Sequence, residues 1–216
     1  MAVISPTVTA LNLHQYREQI ERISKFADRI HIDLMDGIFA PTRSPGFKHT
    51  WWPKEILEQV DIHIMYENPL LAVEYLVGLR PQLIILHAEA NHQEVSEALA
   101  LIDAHRPIKR GLAILPETKP KDVAGWLKKC DHCLVFSGDL GHFGGRADMK
   151  QTEKISELLD INPNLEIGWD GGINDKNVTE LIKAGVDVLN AGGFIQKSTN
   201  PANAYAILQQ IASVHK

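Results

Sequence analysis

The stretch Arg29–Gly37 reads R-I-H-I-D-L-M-D-G and sets a histidine and an aspartate two residues apart in an otherwise apolar run. A β-strand repeats its side-chain direction every two residues. His31 and Asp33 therefore share one face, while Ile30, Ile32 and Leu34 occupy the other. An apolar outer face with two polar, metal-competent residues inside suits a closed parallel barrel better than a one-sided sheet. A hydrogen-bonded core pair without chemistry fits the same spacing. The choice turns on whether other segments bring matching groups to the same place.

Several apolar runs end in polar residues. D-I-H-I-M carries His63, L-I-I-L-H-A-E ends with His87, and a later run ends at Ser137. L-E-I-G-W-D-G-G ends with Asp170, and the first run ends at Ser5-Pro6. His31, Asp33, His63 and Asp170 come from three strands and can meet over one barrel mouth. Two imidazoles and two carboxylates suit one divalent ion such as zinc, iron(II), manganese or cobalt. Taken singly, each residue also fits a core hydrogen bond. Glycine pairs follow the last three strands, at Gly144-Gly145, Gly171-Gly172 and Gly192-Gly193. Glycine lets backbone N–H groups approach an anion, and a short helix starting near Phe194 would add positive partial charge. Turns of this kind after the last strands are a recurrent phosphate site in β/α barrels. A pair of glycines alone also fits a tight turn.

The elements that must position these residues recur as a short apolar strand followed by an amphipathic helix. Strands are expected at 2–5, 30–34, 61–65, 83–87, 108–115, 133–137, 165–170 and 186–191. Helices are expected at 12–25, 52–59, 69–78, 92–104, 119–129, 149–159, 175–184 and 201–214. Leu13, Tyr16, Ile20 and Ile23 show the helical spacing in the first of these. Eight such units predict an α/β fold, a single (β/α)8 TIM-barrel domain over residues 1–216. An open doubly wound sheet is the rival.

Composition narrows the partners. The chain of 216 residues is 44% apolar and carries a formal net charge of −5, which argues against nucleic acid or an anionic membrane as partner. No signal-peptide pattern opens the sequence, and no apolar run approaches the ~18 residues of a membrane span. A soluble, cytoplasmic protein is expected. Cys130 and Cys133 form a lone C-x-x-C where a helix gives way to a strand, which reads as two buried thiols rather than a zinc or redox site.

These residues resemble the ribulose-phosphate 3-epimerase family along nearly the whole chain. The matching motifs are I-S-P at Ile4–Pro6, H-I-D-L-M-D-G at His31–Gly37, D-I-H-I-M-Y-E-N-P at Asp61–Pro69 and L-H-A-E-A at Leu86–Ala90. G-L-A-I-L-P-E-T at Gly111–Thr118, W-D-G-G-I-N at Trp169–Asn174 and A-G-V-D-V-L-N-A-G at Ala184–Gly192 complete the set. The resemblance implies a phosphate-binding barrel that inverts one carbinol centre of a phosphorylated ketose. It implies that His31, Asp33, His63 and Asp170 are metal ligands, that Asp33 and Asp170 are the acid/base pair, and that Ser5 contacts substrate. Met35 and Met65 match sulfur-bearing positions lining the family's site.

The chemistry fits the residues. Epimerisation beside a ketone removes a proton from one face and returns it to the other, which two carboxylates can do through an enediolate. A divalent ion would offset the intermediate's charge. The substrate loops depart from the family's usual residues. F-S-G-D-L-G-H-F-G-G-R follows the sixth strand, with Phe136, Asp139, His142 and Arg146 at altered positions. Ile38 and Thr42 stand where His and Asn are usual, and Gly193 where a serine is common. The leading expectation is a metal-dependent epimerase interconverting D-ribulose 5-phosphate and D-xylulose 5-phosphate. The alternatives are a hexulose 6-phosphate 3-epimerase of the allulose 6-phosphate type and a non-catalytic phosphosugar-binding barrel. A homo-oligomer is expected, with Trp51-Trp52 fitting either an interface or packing under the strand 2 loop.

Overall fold

Eight parallel strands close on themselves in sequence order. They are β1 (Val3–Val8), β2 (Ile30–Met35), β3 (Val60–Met65), β4 (Leu83–His87), β5 (Lys109–Ile114), β6 (His132–Phe136), β7 (Glu166–Asp170) and β8 (Val188–Ala191). The structure is a computed structural model that describes residues 2–54, 59–142 and 145–214. Of the helix expected at 52–59, residues 55–58 lie outside these.

Helices cover the outside of the barrel. In α1 (Leu13–Ile23), Asn12 caps the start by accepting the Gln15 amide N–H, and Tyr16, Ile20 and Ile23 are buried. Leu13, expected on that face, is instead exposed in the first turn. The segment α2 (Leu70–Leu76) is followed by α3 (His92–Ala104), where Asn91 caps and Val95, Ala98, Leu99 and Ile102 are buried. The next two helices are shorter than their apolar spacing suggests. Each begins as a tighter 3-10 segment, at Pro120–Val123 before α4 (Ala124–Leu127) and at Met149–Glu153 before α5 (Lys154–Ile161). The chain closes with α6 (Val178–Lys183), α7 (Gly193–Gln196) and α8 (Pro201–Val214). Among the described residues, no helix is long and apolar enough to cross a membrane.

Strand alternation divides the core in two. Outward residues such as Ile30, Ile32, Leu34, Ile62 and Ile64 join the helices in one large cluster. Inside the barrel, Leu83, Ile85, Ala113 and Leu134 form a separate apolar plug on the β4–β6 side. β1 departs from expectation by running through Pro6 to Val8. Val3–Pro6 pair with β8, and Thr7 and Val8 pair with His31 and Ile32 of β2. Barrel stagger carries the strand onward, even though proline supplies no N–H at the changeover. Trp52 is buried and Trp51 partly exposed, its carbonyl accepting the Tyr16 hydroxyl at 2.7 Å. Cys130 and Cys133 are free and buried, and burial pushes both thiols up.

An ionic layer seals the end of the barrel where the strands begin. Arg29 Nε donates to Asp61 Oδ2 at 2.6 Å, and its two terminal nitrogens reach the Glu166 carboxylate at 2.8 and 3.0 Å. His132 Nδ1 lies 2.9 Å from the same carboxylate. Burial opposes the charge on Glu166, but His132 and Arg29 outweigh it and hold the carboxyl well below its usual range. Removing one member of a buried ionic group strands the others without water. Arg29→Ala is expected to lower unfolding free energy by about 3–5 kcal/mol, read from urea titrations. A loss under about 1 kcal/mol, the scale of a surface pair, would show that the layer is solvated.

Candidate metal and substrate site

Alternation points His31, Asp33 and Met35 of β2 into the barrel, and Asp61, His63 and Met65 of β3 beside them. The register pairs Asp33 directly with His63. Asp170 ends β7 at the same mouth. One donor atom from each of His31, Asp33, His63 and Asp170 lies within 4.8 Å of the others. Asp33 Oδ1 is 3.0 Å from His63 Nδ1 and 3.2 Å from His31 Nε2, while Asp170 Oδ2 is 3.7 Å from both rings.

Neighbouring groups fix the orientation of the cluster. Thr9 Oγ1, just beyond β1, donates to Asp33 Oδ2 at 2.6 Å and leaves Oδ1 toward the histidines. His63 Nε2 meets His87 Nε2 at 2.9 Å, and His87 Nδ1 meets Glu89 Oε2 at 3.2 Å. Glu89 Oε1 accepts the Leu115 amide N–H and the Thr118 hydroxyl. Burial raises the Glu89 carboxyl, but His87, Thr118 and the Leu115 amide more than offset this and keep it ionised. With N–H at His87 Nδ1 facing the Glu89 carboxylate, His87 Nε2 accepts and His63 Nε2 donates. This assigns a lone pair to His63 Nδ1, where it faces a carboxylate oxygen.

That arrangement calls for a cation. Burial, opposed by Asp33, lowers the His63 pKa to about 3, so the ring itself is neutral. His31 is fully buried, and neither ring nitrogen has an aligned hydrogen-bond partner. Burial disfavours its charge, yet the Asp33 carboxylate beside it prevails and raises its pKa. Burial and the charge of Asp33 push Asp170 upward. Burial works the other way on Asp33, but the two histidines hold it low. The orphaned imidazole, the opposed lone pairs and the two carboxylates together fit a divalent ion.

A cavity of about 230 Å³ opens above Asp33 and Asp170, a size for a small metabolite. Gly145, Gly171, Gly172, Gly192 and Gly193 line it. Gly144 lies outside the described residues. Gly171 adopts φ 119°, and a Cβ there would sit 2.2 Å from the Gly138 nitrogen, so the turns after β6 and β7 touch only because side chains are missing. From β1 and just beyond it the lining residues are Thr7 and Thr9, with Ser5 deeper and fully buried. This follows from the strand continuing past Pro6. Arg146 is exposed and does not line the cavity, whereas Lys197, after α7, does. Phe136 lines it and packs 6.2 Å from the His63 ring.

Sequence reasoning left Thr9, Glu89, Lys197 and Asn190 without roles. Only the His87-x-Glu89 spacing carried a signal, since a two-residue step can return to one face.

Fold and site together define a (β/α)8 barrel with a candidate metal centre beneath glycine turns. The model of the ribulose-phosphate 3 epimerase family matches residues 3–196. Ribulose-phosphate 3-epimerase of Helicobacter pylori is 32% identical over 221 aligned positions, covering 96% of this chain and 97% of the relative. Among solved structures, 3-hexulose-6-phosphate synthase from Salmonella typhimurium superposes with a TM-score of 0.70 at 14% identity, covering 99% of this chain and 100% of that one. The 3-keto-L-gulonate-6-phosphate decarboxylase from Vibrio cholerae reaches 0.73 at 11% identity, covering 100% and 99%. The chain belongs to the ribulose-phosphate 3-epimerase family, whose members are isomerases acting on carbohydrates.

Glu89→Gln should weaken cobalt(II) binding about tenfold or more, measured by competition with a chromophoric chelator. Unchanged affinity would remove Glu89 from the orientation of His63.

Proposed function

We propose that the chain is a metal-dependent 3-epimerase interconverting D-ribulose 5-phosphate and D-xylulose 5-phosphate. The observation that carries this reading is the pair Asp33 and Asp170, one buried and one partly buried carboxylate that both line the cavity, with donor atoms within 4.8 Å of each other. Simple binding of a phosphosugar does not require such a pair, which weighs against a non-catalytic barrel. A hexulose 6-phosphate is the alternative substrate, distinguished by the same assay.

In this reading, His31, Asp33, His63 and Asp170 hold one divalent ion, zinc, iron(II), manganese or cobalt. When bound, the ion would supply positive charge that offsets the negative charge of the enediolate. One aspartate, as the carboxylate, removes the C3 proton. The other, as the carboxylic acid, delivers a proton to the opposite face, so inversion exchanges their protonation states. Burial and the charge of Asp33 push Asp170 up while the two histidines hold Asp33 low, which suits a pair holding a single proton. Glycine-turn amides at 171–172 and 192–193, with Lys197 at the rim, receive the phosphate. Phe136 and Met65 shield the reacting carbon from water.

The test follows solvent deuterium into C3 of pentulose and hexulose phosphates. Asp33→Asn and Asp170→Asn are each expected to reduce turnover by about a thousandfold or more, with circular dichroism near that of the unmodified protein. Chelation should abolish exchange, and an added divalent transition ion should restore it. Near-normal exchange in either variant would refute the two-aspartate mechanism, and full activity of metal-free protein would refute the metal assignment.

A further inference from the structure

Asn190 points into the barrel from β8. It is 2% exposed, and neither its carbonyl oxygen nor its amide nitrogen has a hydrogen-bond partner. Leaving such a group unsatisfied destabilises a fold, so its presence asks for a reason outside the fold. Its position supplies one. Asn190 pairs in register with Asp170 on β7 and with Ser5 on β1, and it lines the cavity. Two residues later its strand gives way to Gly192-Gly193. Asn190 thus lies between the carboxylate cluster and the glycine turn. Thr7, on β1, lines the same wall, and its buried hydroxyl is also unpartnered.

We propose that Asn190 is a specificity-determining residue that reads the hydroxyl on the substrate carbon between the reacting centre and the phosphate-bearing end. For a pentulose 5-phosphate this is the C4 hydroxyl. The inference rests on the epimerase reading, in which C2 and C3 lie over the cluster and the phosphate lies at the glycine turns. The chemistry of the amide selects a hydroxyl. Oδ1 accepts and Nδ2 donates, and a hydroxyl also does both. An ionised phosphate only accepts and would leave Oδ1 unpaired.

The experiment compares D-ribulose 5-phosphate with its 4-deoxy analogue in metal-loaded wild type, Asn190→Val and Asn190→Ala. Wild type is expected to favour the hydroxylated compound about 10- to 100-fold in kcat/KM, the size of one buried unpaired amide. Both variants should bring the ratio of the two compounds to within about threefold. The midpoint of thermal unfolding should hold or rise, because the amide makes no hydrogen bond within the protein. An unchanged ratio in the variants, or an equal loss on both compounds, would overturn the proposal. Failure of both variants to fold would overturn it too, by tying the amide to the fold. If wild type exchanges no deuterium at C3, the epimerase reading fails separately, and calorimetric affinities of the two compounds decide the role of Asn190. A selective loss of affinity for the hydroxylated compound supports it, and equal affinities or no binding overturn it.

Discussion

The pairing of Asp33 with His63 across β2 and β3 is the constraint on which the site depends. It brings a carboxylate oxygen within 3.0 Å of an imidazole nitrogen, with both residues buried at the cavity floor. Neither strand can slip by one residue without turning these groups into the helix layer and two aliphatic side chains into the cavity. Barrel closure then fixes the remaining geometry. With eight strands in a ring, β7 must return beside β8 and deliver Asp170 at the same height, and β1 must carry Thr9 to the other oxygen of Asp33.

The barrel interior is divided by chemistry as well as by height. On the β4–β6 side it is filled by Leu83, Ile85, Ala113 and Leu134, which leave no room for ligand. The polar residues of the site come from β7, β8, β1, β2 and β3, with His87 of β4 backing His63. The apolar half supplies close packing, while the polar half keeps hydrogen-bonding capacity that the fold itself does not use at Thr7, His31 and Asn190. Below them, the Arg29 layer neutralises Asp61 and Glu166, so the inward carboxylates at the base have a guanidinium partner distinct from the upper cluster.

Much of this was legible in the sequence, for identifiable reasons. His31, Asp33, His63 and Asp170 stand out because period-two alternation makes a polar residue conspicuous among aliphatics. The helices at 92–104 and 201–214 have uninterrupted amphipathic spacing and match the observed bounds. Pro6 misled because proline reads as a strand end, whereas here the strand changes partner at that residue. Pro120 and Met149 begin tighter turns that helical spacing does not distinguish from an α-helix. Thr9, Glu89 and Asn190 were not legible, because their roles depend on which strands become neighbours when the barrel closes.

The Thr42 hydroxyl donates to the Gly141 carbonyl and ties the loop after β2 to the loop after β6. Gly141 takes φ 77°, and a Cβ there would lie 2.4 Å from Thr42 Oγ1. Both loops carry residues that the family resemblance sets apart, Ile38 and Thr42 in one and Asp139 and His142 in the other. They therefore behave as one covering built from two distant pieces of chain. Transplanting either alone from a relative would leave a hydroxyl without its acceptor or a side chain without space. The pair is the unit that engineering, or descent, would have to exchange.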